Sequence, residues 1–306
     1  MRPNDMPIFV GSICVLAMWY GYNLITRQEE LEQYLFTGNE ISDLNHTLRA
    51  AYHITFNDSV GLRREKQLHV NFLESMPYLK LHRTDPVPLS DPRISNYRIE
   101  REDKQQVLSN LYSHVKMWDA FVRDEGARED QWALFLEDDA AFHVRVRGHT
   151  RLVASIFNEL FQLAKADEFG YFGLCKPSYY SWYEMLYNRC STNSKESLMK
   201  DGVLYERTCG NCAHAYAMTK RRARSMWRML ASRNYTLSSS PCVWDGKHVL
   251  NHFDFFIFMD RHLDCWSAEE LGGVWLAGAD LASNYDSGHL GILYQERSLG
   301  QSVHYV

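Results

Sequence analysis

The chain has 306 residues and a formal net charge of −5. That length suits one large α/β domain or two small ones, with ample chain for a core. The charge argues against a nucleic-acid binder that works by bulk electrostatics. With 8 Trp and 18 Tyr, aromatic clefts for sugars or bases and an ordinary aromatic core both stay open.

Residues 1–6 read as a short cytoplasmic tail. From Pro7 to Ile25 there is no charged side chain. A helix needs ~20 apolar residues to cross a bilayer, so residues 7–26 read as a transmembrane signal anchor. Trp19, Tyr20 and Tyr22 sit toward one end, as interfacial aromatics do. A cleaved signal peptide is the rival reading, but no small-x-small cleavage site follows the apolar run. Arg2 against Arg27, Glu29 and Glu30 leans toward a cytoplasmic N-terminus. The resulting expectation is a single-pass type II protein of the Golgi or endoplasmic reticulum membrane with its body in the lumen.

Residues 27–48 are polar and acidic and read as a stem, which leaves residues 49–306 for the lumenal domain. Residues 51–56 read as a first strand and Asn57 to Gly61 as a turn. A helix is expected from Leu62, with Leu62, Leu68, His69 and Phe72 on one side and Arg63 and Arg64 on the other. Two arginines at a helix start could meet a diphosphate, or simply be solvated. Residues 84–103, with Pro86, Pro88 and Pro92, read as loop. A helix follows over 104–123, where Leu111, Val115, Trp118 and Phe121 recur at helical spacing.

The run Trp132-Ala133-Leu134-Phe135-Leu136 leads straight into Glu137-Asp138-Asp139. A short, wholly apolar run reads as a strand buried on both faces. Open α/β sheets keep their ligands at the carboxyl ends of such strands. Three adjacent acids repel one another, and hard oxygen ligands suit Mg²⁺ or Mn²⁺. The alternative is a solvated acidic turn. Arg145, Arg147 and His149 follow and could help neutralise a diphosphate.

A helix is expected over 150–166 and a strand over 169–175. Residues 176–208 form a polar stretch too long for a mere connector and read as a lid, a binding loop or a disordered segment. Residues 212–219 read as a strand, and Thr219 as the N-cap of a helix over 220–232. Residues 248–262 are helical or mixed and place Asp254 among Phe253, Phe255 and Phe256. A carboxylate in such surroundings is functional or paired. Residues 272–277 read as a late strand.

Beyond Cys14 the cysteines are Cys175, Cys190, Cys209, Cys212, Cys242 and Cys265. An even set fits disulfides in an oxidising compartment, and sequence does not choose their pairing. Cys209-Gly-Asn-Cys212 could instead be half a zinc site or a redox pair, but no second such motif is present. Asn45, Asn57 and Asn234 head Asn-x-Ser/Thr triplets that permit a secretory location.

In order and spacing, the chain resembles the glycosyltransferase family 25 enzymes, among them bacterial lipooligosaccharide and collagen galactosyltransferases. Ser113-His114-Val115-Lys116-Met117-Trp118 is similar to the family's "LSH…W" helix. Leu134 to Phe142 is similar to its "LEDDv.F" element. Gly210 to Ala223 is similar to "G..aYaiskkgA", and His252-Phe253-Asp254-Phe255-Phe256 to "vDwfl". The first strand departs from the family's "INLdr…R" pattern, and residues 176–208 have no counterpart.

The resemblance implies a GT-A-like α/β fold, a mixed Rossmann-like sheet flanked by helices. It implies a UDP-sugar donor, Mn²⁺ or Mg²⁺, and transfer of a hexose, galactose or glucose, with inversion onto a glycan or glycoprotein hydroxyl. Glu137, Asp138 and Asp139 would bind the metal and the UDP diphosphate, with Arg63 and Arg64 nearby. His114 would border the donor, and Asp254 would be the general base. Two other readings compete. A metal-dependent phosphodiesterase would need His ligands in close motifs with Asp, and none lies near residue 139 in sequence. A non-catalytic sugar-binding relative would not need the intact acids.

Overall fold

The computed structural model describes residues 39–95, 102–142, 146–164, 166, 168–171, 197–200, 203–206, 214–231, 265–270 and 293–295. The expected anchor over 7–26, Asp254, the late strand over 272–277 and every cysteine except Cys265 lie outside them. Among the described residues, no helix is long and apolar enough to cross a membrane.

The described part of the chain opens with helix α1 (Glu40–Thr47), which occupies the end of the stretch read as stem. Its polar composition hides one core side chain: Leu44 is wholly buried in the core. The Asn158 amide donates to the Glu40 carbonyl at 2.7 Å. A helix needs only one such stripe to belong to a body.

Strand β1 (Leu48–Ile54) is buried at every position but Arg49, and begins three residues before the expected start. Helix α2 (Ser59–Ser75) follows. Of the residues expected to form a turn, 57–61, the last three lie in its first turn. Asp58 is the N-cap, and its carboxylate accepts from Val60 N at 3.0 Å and Gly61 N at 2.7 Å, satisfying donors that the helix leaves open. Gly61 is needed for contact rather than for turning, since a Cβ there would lie 2.2 Å from the Phe56 carbonyl oxygen. Leu68 and Phe72 are buried as expected, whereas Leu62 is exposed.

Strand β2 (Leu81–Thr84) ends where the region read as loop begins, and the short helix α3 (Pro92–Ser95) interrupts that region. Helix α4 (Glu102–Arg123) leads to strand β3 (Trp132–Glu137) and the short β4 (Ala140–Phe142). Helix α5 (Thr150–Leu163) and strand β5 (Phe169–Tyr171) come next. Strands β6 (Ser197–Lys200) and β7 (Val203–Glu206) form a hairpin inside the expected long loop. Strand β8 (Ala215–Thr219) runs into helix α6 (Lys220–Ala231). Thr219 caps α6 as expected, its Oγ1 accepting from Arg222 N at 3.2 Å. Strands β9 (Cys265–Glu270) and β10 (Leu293–Gln295) complete the set.

Eight strands form one mixed sheet in the order β2-β1-β3-β8-β5-β9-β7-β6, and β10 pairs antiparallel with β4. β1 is parallel to both β2 and β3, while β8 is antiparallel to β3. Alternation along the strands sorts the core into two layers. Ala51, Leu134, Leu136, Ala215 and Ala217 face α2 and α5, packing with Leu68, Phe72 and Phe157. Ala50, Tyr52, Ala133, Phe135, Tyr216 and Met218 face α4 and α6, packing with Trp118, Phe121 and Met226. α2 and α4 therefore cover opposite faces of the sheet. The chain leaves β1 toward β2, then crosses back to lay β3 on the other side of β1. The carboxyl ends of β1 and β3 at that reversal are where open α/β sheets keep their ligands.

Candidate active site

Ile54 is in register with Glu137, so both parallel strands end together. The turn after β3 presents Asp138 and Asp139 beside the start of α2. Both aspartates are buried at 8% exposure. Arg64 of α2 reaches them, its Nη1 lying 3.4 Å from Asp138 Oδ1 and 3.9 Å from Asp139 Oδ2. Arg63 is exposed. Thr55, just past β1, is wholly buried, and its hydroxyl takes no hydrogen bond.

Glu137 turns the other way, toward α4. Its Oε1 accepts from the Asn110 amide at 3.3 Å and lies 3.7 Å from His114 Nε2. His114 is wholly buried, and its Nδ1 is 2.8 Å from the Tyr216 hydroxyl. That hydroxyl also accepts from Trp118 Nε1 at 2.9 Å. One buried hydroxyl thereby joins His114 Nδ1 to Trp118 Nε1. Trp118, Tyr216, His114 and Glu137 form one chain of polar contacts through the core. The resemblance has His114 border the donor; in the structure it lies beside Glu137.

The expected acidic triad is thus divided between the two faces of β3. Among the described residues, the three-member group whose ligand atoms lie within 4.8 Å of one another is His53, Glu65 and His69, not the three acids. Asp138 and Asp139 remain together around Arg64. Arg147 pairs with Glu74 at 2.6 Å near the far end of α2. Arg145 and Asp254 lie outside the described residues.

Charge follows this division. Burial, and then the charge of Asp139, push the Asp138 pKa up to about 7, with Arg64 pulling the other way. Burial lowers the His114 pKa and keeps its ring neutral. Burial also works against the Glu137 carboxylate. Even so, its pKa is lowered, because His114, and then His214 and the Asn110 amide, favour the ionised form. Asp138 and Asp139 set two buried carboxyl groups side by side, an all-oxygen donor set that fits a hard divalent cation such as Mn²⁺ or Mg²⁺.

Asn110 and Tyr216 are the residues that sequence reasoning missed. Asn110 sits one turn before His114 on the same helix, which is a legible spacing. Tyr216 meets His114 only across the sheet.

No protein-family model matches the chain, and no curated protein matches it. Among solved structures, the chain is similar to mouse xyloside xylosyltransferase 1 in its apo form. The sequence identity is 12% and the TM-score 0.40, over 82% of this chain and 98% of that one.

Proposed function

We propose that this chain is a glycosyltransferase that moves a hexose, galactose or glucose, from a UDP-sugar to a glycan or glycoprotein hydroxyl with inversion. The observation that carries the reading is the Asp138/Asp139 pair. These carboxyl groups are buried side by side just past the carboxyl end of β3, and Arg64 faces both. The sequence resemblance to glycosyltransferase family 25 falls on the same segment.

In this reading the acceptor oxygen attacks the anomeric carbon as the bond from that carbon to the UDP oxygen breaks. UDP departs with the electron pair. Asp138 and Asp139 would hold Mn²⁺ or Mg²⁺, whose chemistry is to neutralise charge on a leaving diphosphate. Arg64 adds a fixed guanidinium on the same side, suited to phosphate oxygens. Glu137 is positioned by His114 and Asn110, so its carboxylate stays ionised and oriented. The acceptor proton passes to a carboxylate base, and Asp254 takes that role by its match to the family motif. The apolar run over 7–26 would anchor the enzyme in the Golgi or endoplasmic reticulum membrane, where glycan acceptors pass.

The test is thermal unfolding of the full chain with UDP, with Mn²⁺, and with both. A ligand at 100 times its dissociation constant adds roughly 2.7 kcal/mol. Stabilisation that needs UDP and Mn²⁺ together, and disappears in Asp139→Asn, supports the reading. A panel of UDP-sugars then identifies the donor. No response to UDP and Mn²⁺ in the folded chain overturns it.

A further inference from the structure

A second group of metal-ligating side chains lies on the α2 face of the sheet, apart from the acids. His53 is on β1 and wholly buried. Glu65 and His69 stand one turn apart on α2, so both can face one strand residue. His53 Nε2 is 3.1 Å from Glu65 Oε1. The two imidazole rings meet edge to face, with centroids 5.4 Å apart. One ligand atom from each of the three residues falls within 4.8 Å of the others.

Two features distinguish this group from an ordinary His–Glu hydrogen bond. His69 Nε2 is a buried nitrogen that takes no hydrogen bond, although buried polar atoms are nearly always partnered. Glu65 is also held from behind, because Arg83 Nη1 of β2 donates to Oε2 at 2.9 Å. One carboxylate oxygen is thereby fixed by a cation while the other faces the histidines. An oriented ligand of this kind is typical of metal sites. Arg83 shares its charge with Asp85 at 3.3 Å, which limits its repulsion of a metal. Ligands around a tetrahedral ion stand ~3.4 Å apart, so the His53–Glu65 pair is already at that spacing and the His69 side chain has a short distance to close.

We propose that His53, Glu65 and His69 form a zinc site that clips helix α2 to strand β1. Two imidazoles and one carboxylate form a borderline set suited to Zn²⁺, whereas the all-oxygen pair Asp138/Asp139 suits Mn²⁺ or Mg²⁺. The clip has a consequence for the neighbouring acid pair. Arg64, which faces Asp138 and Asp139, precedes Glu65 on the same helix, so fixing Glu65 fixes the backbone that aims Arg64.

The test loads the chelator-stripped full chain with Zn²⁺, then measures bound metal and melting temperature. One zinc per chain and a raised melting temperature are expected, both lost in His69→Ala and in Glu65→Gln. Both persist in Asp139→Asn and in the double variant Cys209→Ser, Cys212→Ser. Circular dichroism checks that each variant is folded. Co²⁺ in the unmutated chain gives an independent reading, with a tetrahedral visible spectrum and no thiolate charge-transfer band. Zinc binding retained by folded His69→Ala overturns the proposal, as does a cobalt–thiolate band as the only signal, or no binding at all.

Discussion

Arg64 Nη1 stands 3.4 Å from Asp138 Oδ1, and this contact ties the first turns of α2 to the acidic turn after β3. Both side chains are close to fully buried, at 11% and 9% exposure. The pair is therefore a structural element as well as the core of the candidate site. Breaking a buried pair by removing one partner costs about 3 kcal/mol, because the remaining charge is stranded. Arg64→Gln should lower stability by that order in urea unfolding with a chelator present. Added Mn²⁺ should stabilise this variant more than it does the wild type. Equal responses to Mn²⁺ would show that the cation does not reach the aspartates.

Asp138 makes stability depend on pH in a direction that can be stated. Its pKa is raised from 3.8 to about 7 in the folded chain. Between those values the folded state keeps a proton that the unfolded state has released. The stabilisation is fully present below about pH 4 and is lost as pH rises toward about 7. The window spans about three pH units at ~1.4 kcal/mol each, so the loss is at most on the order of 4 kcal/mol. Asp138→Asn lacks that proton exchange. Its stability relative to the metal-free wild type should therefore grow steadily across the window, and parallel pH profiles for the two proteins would refute the assignment.

Tyr216 is the hinge of the polar chain beneath Glu137. Its hydroxyl meets both His114 Nδ1 and Trp118 Nε1. Tyr216→Phe keeps the ring but strands both buried nitrogens, and each such loss costs ~1–3 kcal/mol. A drop of about 3 kcal/mol in urea unfolding is expected. Trp118→Phe removes one donor and leaves the His114 contact, so it should cost less through lost hydrogen bonding than Tyr216→Phe.

Gly61 should tolerate no side chain. A Cβ at 2.2 Å from the Phe56 carbonyl oxygen meets backbone, which cannot rotate away. Overpacking of this kind costs about 1–3 kcal/mol, and thermal unfolding of Gly61→Ala should show a loss in that range. Gly148, with φ 80° and open space around its Cβ position, should lose stability on substitution for backbone reasons alone.

Leu44 tests whether α1 belongs to the body. A wholly buried leucine cut to alanine costs roughly 2–5 kcal/mol, whereas a stem leucine would cost almost nothing. Leu44→Ala should fall in the first range by urea unfolding.

Much of the central sheet was legible because burial on both faces leaves a signature. The runs in β1, β3 and β8 are too apolar and too short to be anything but inner strands. Helices α4 and α5 show in their apolar spacing, and Thr219 shows as a cap. The outer elements carry weaker signals. β2 is an edge strand buried only at Thr84, so no apolar run marks it. The β6–β7 hairpin has Asp201-Gly202 between its strands, a turn signal obscured by the polar residues around it.

Local pattern alone determined that three acids end a buried strand. The reason is that a strand buried on both faces leaves a short, wholly apolar run in the sequence. Only the tertiary structure decided how the acids are divided. β3 ends at Glu137, whose side chain meets Asn110 and His114, and the chain then turns, so that Asp138 and Asp139 both meet Arg64. It also brought His53 to Glu65 and His69. Those contacts join different elements packed across the sheet, and no local spacing encodes them.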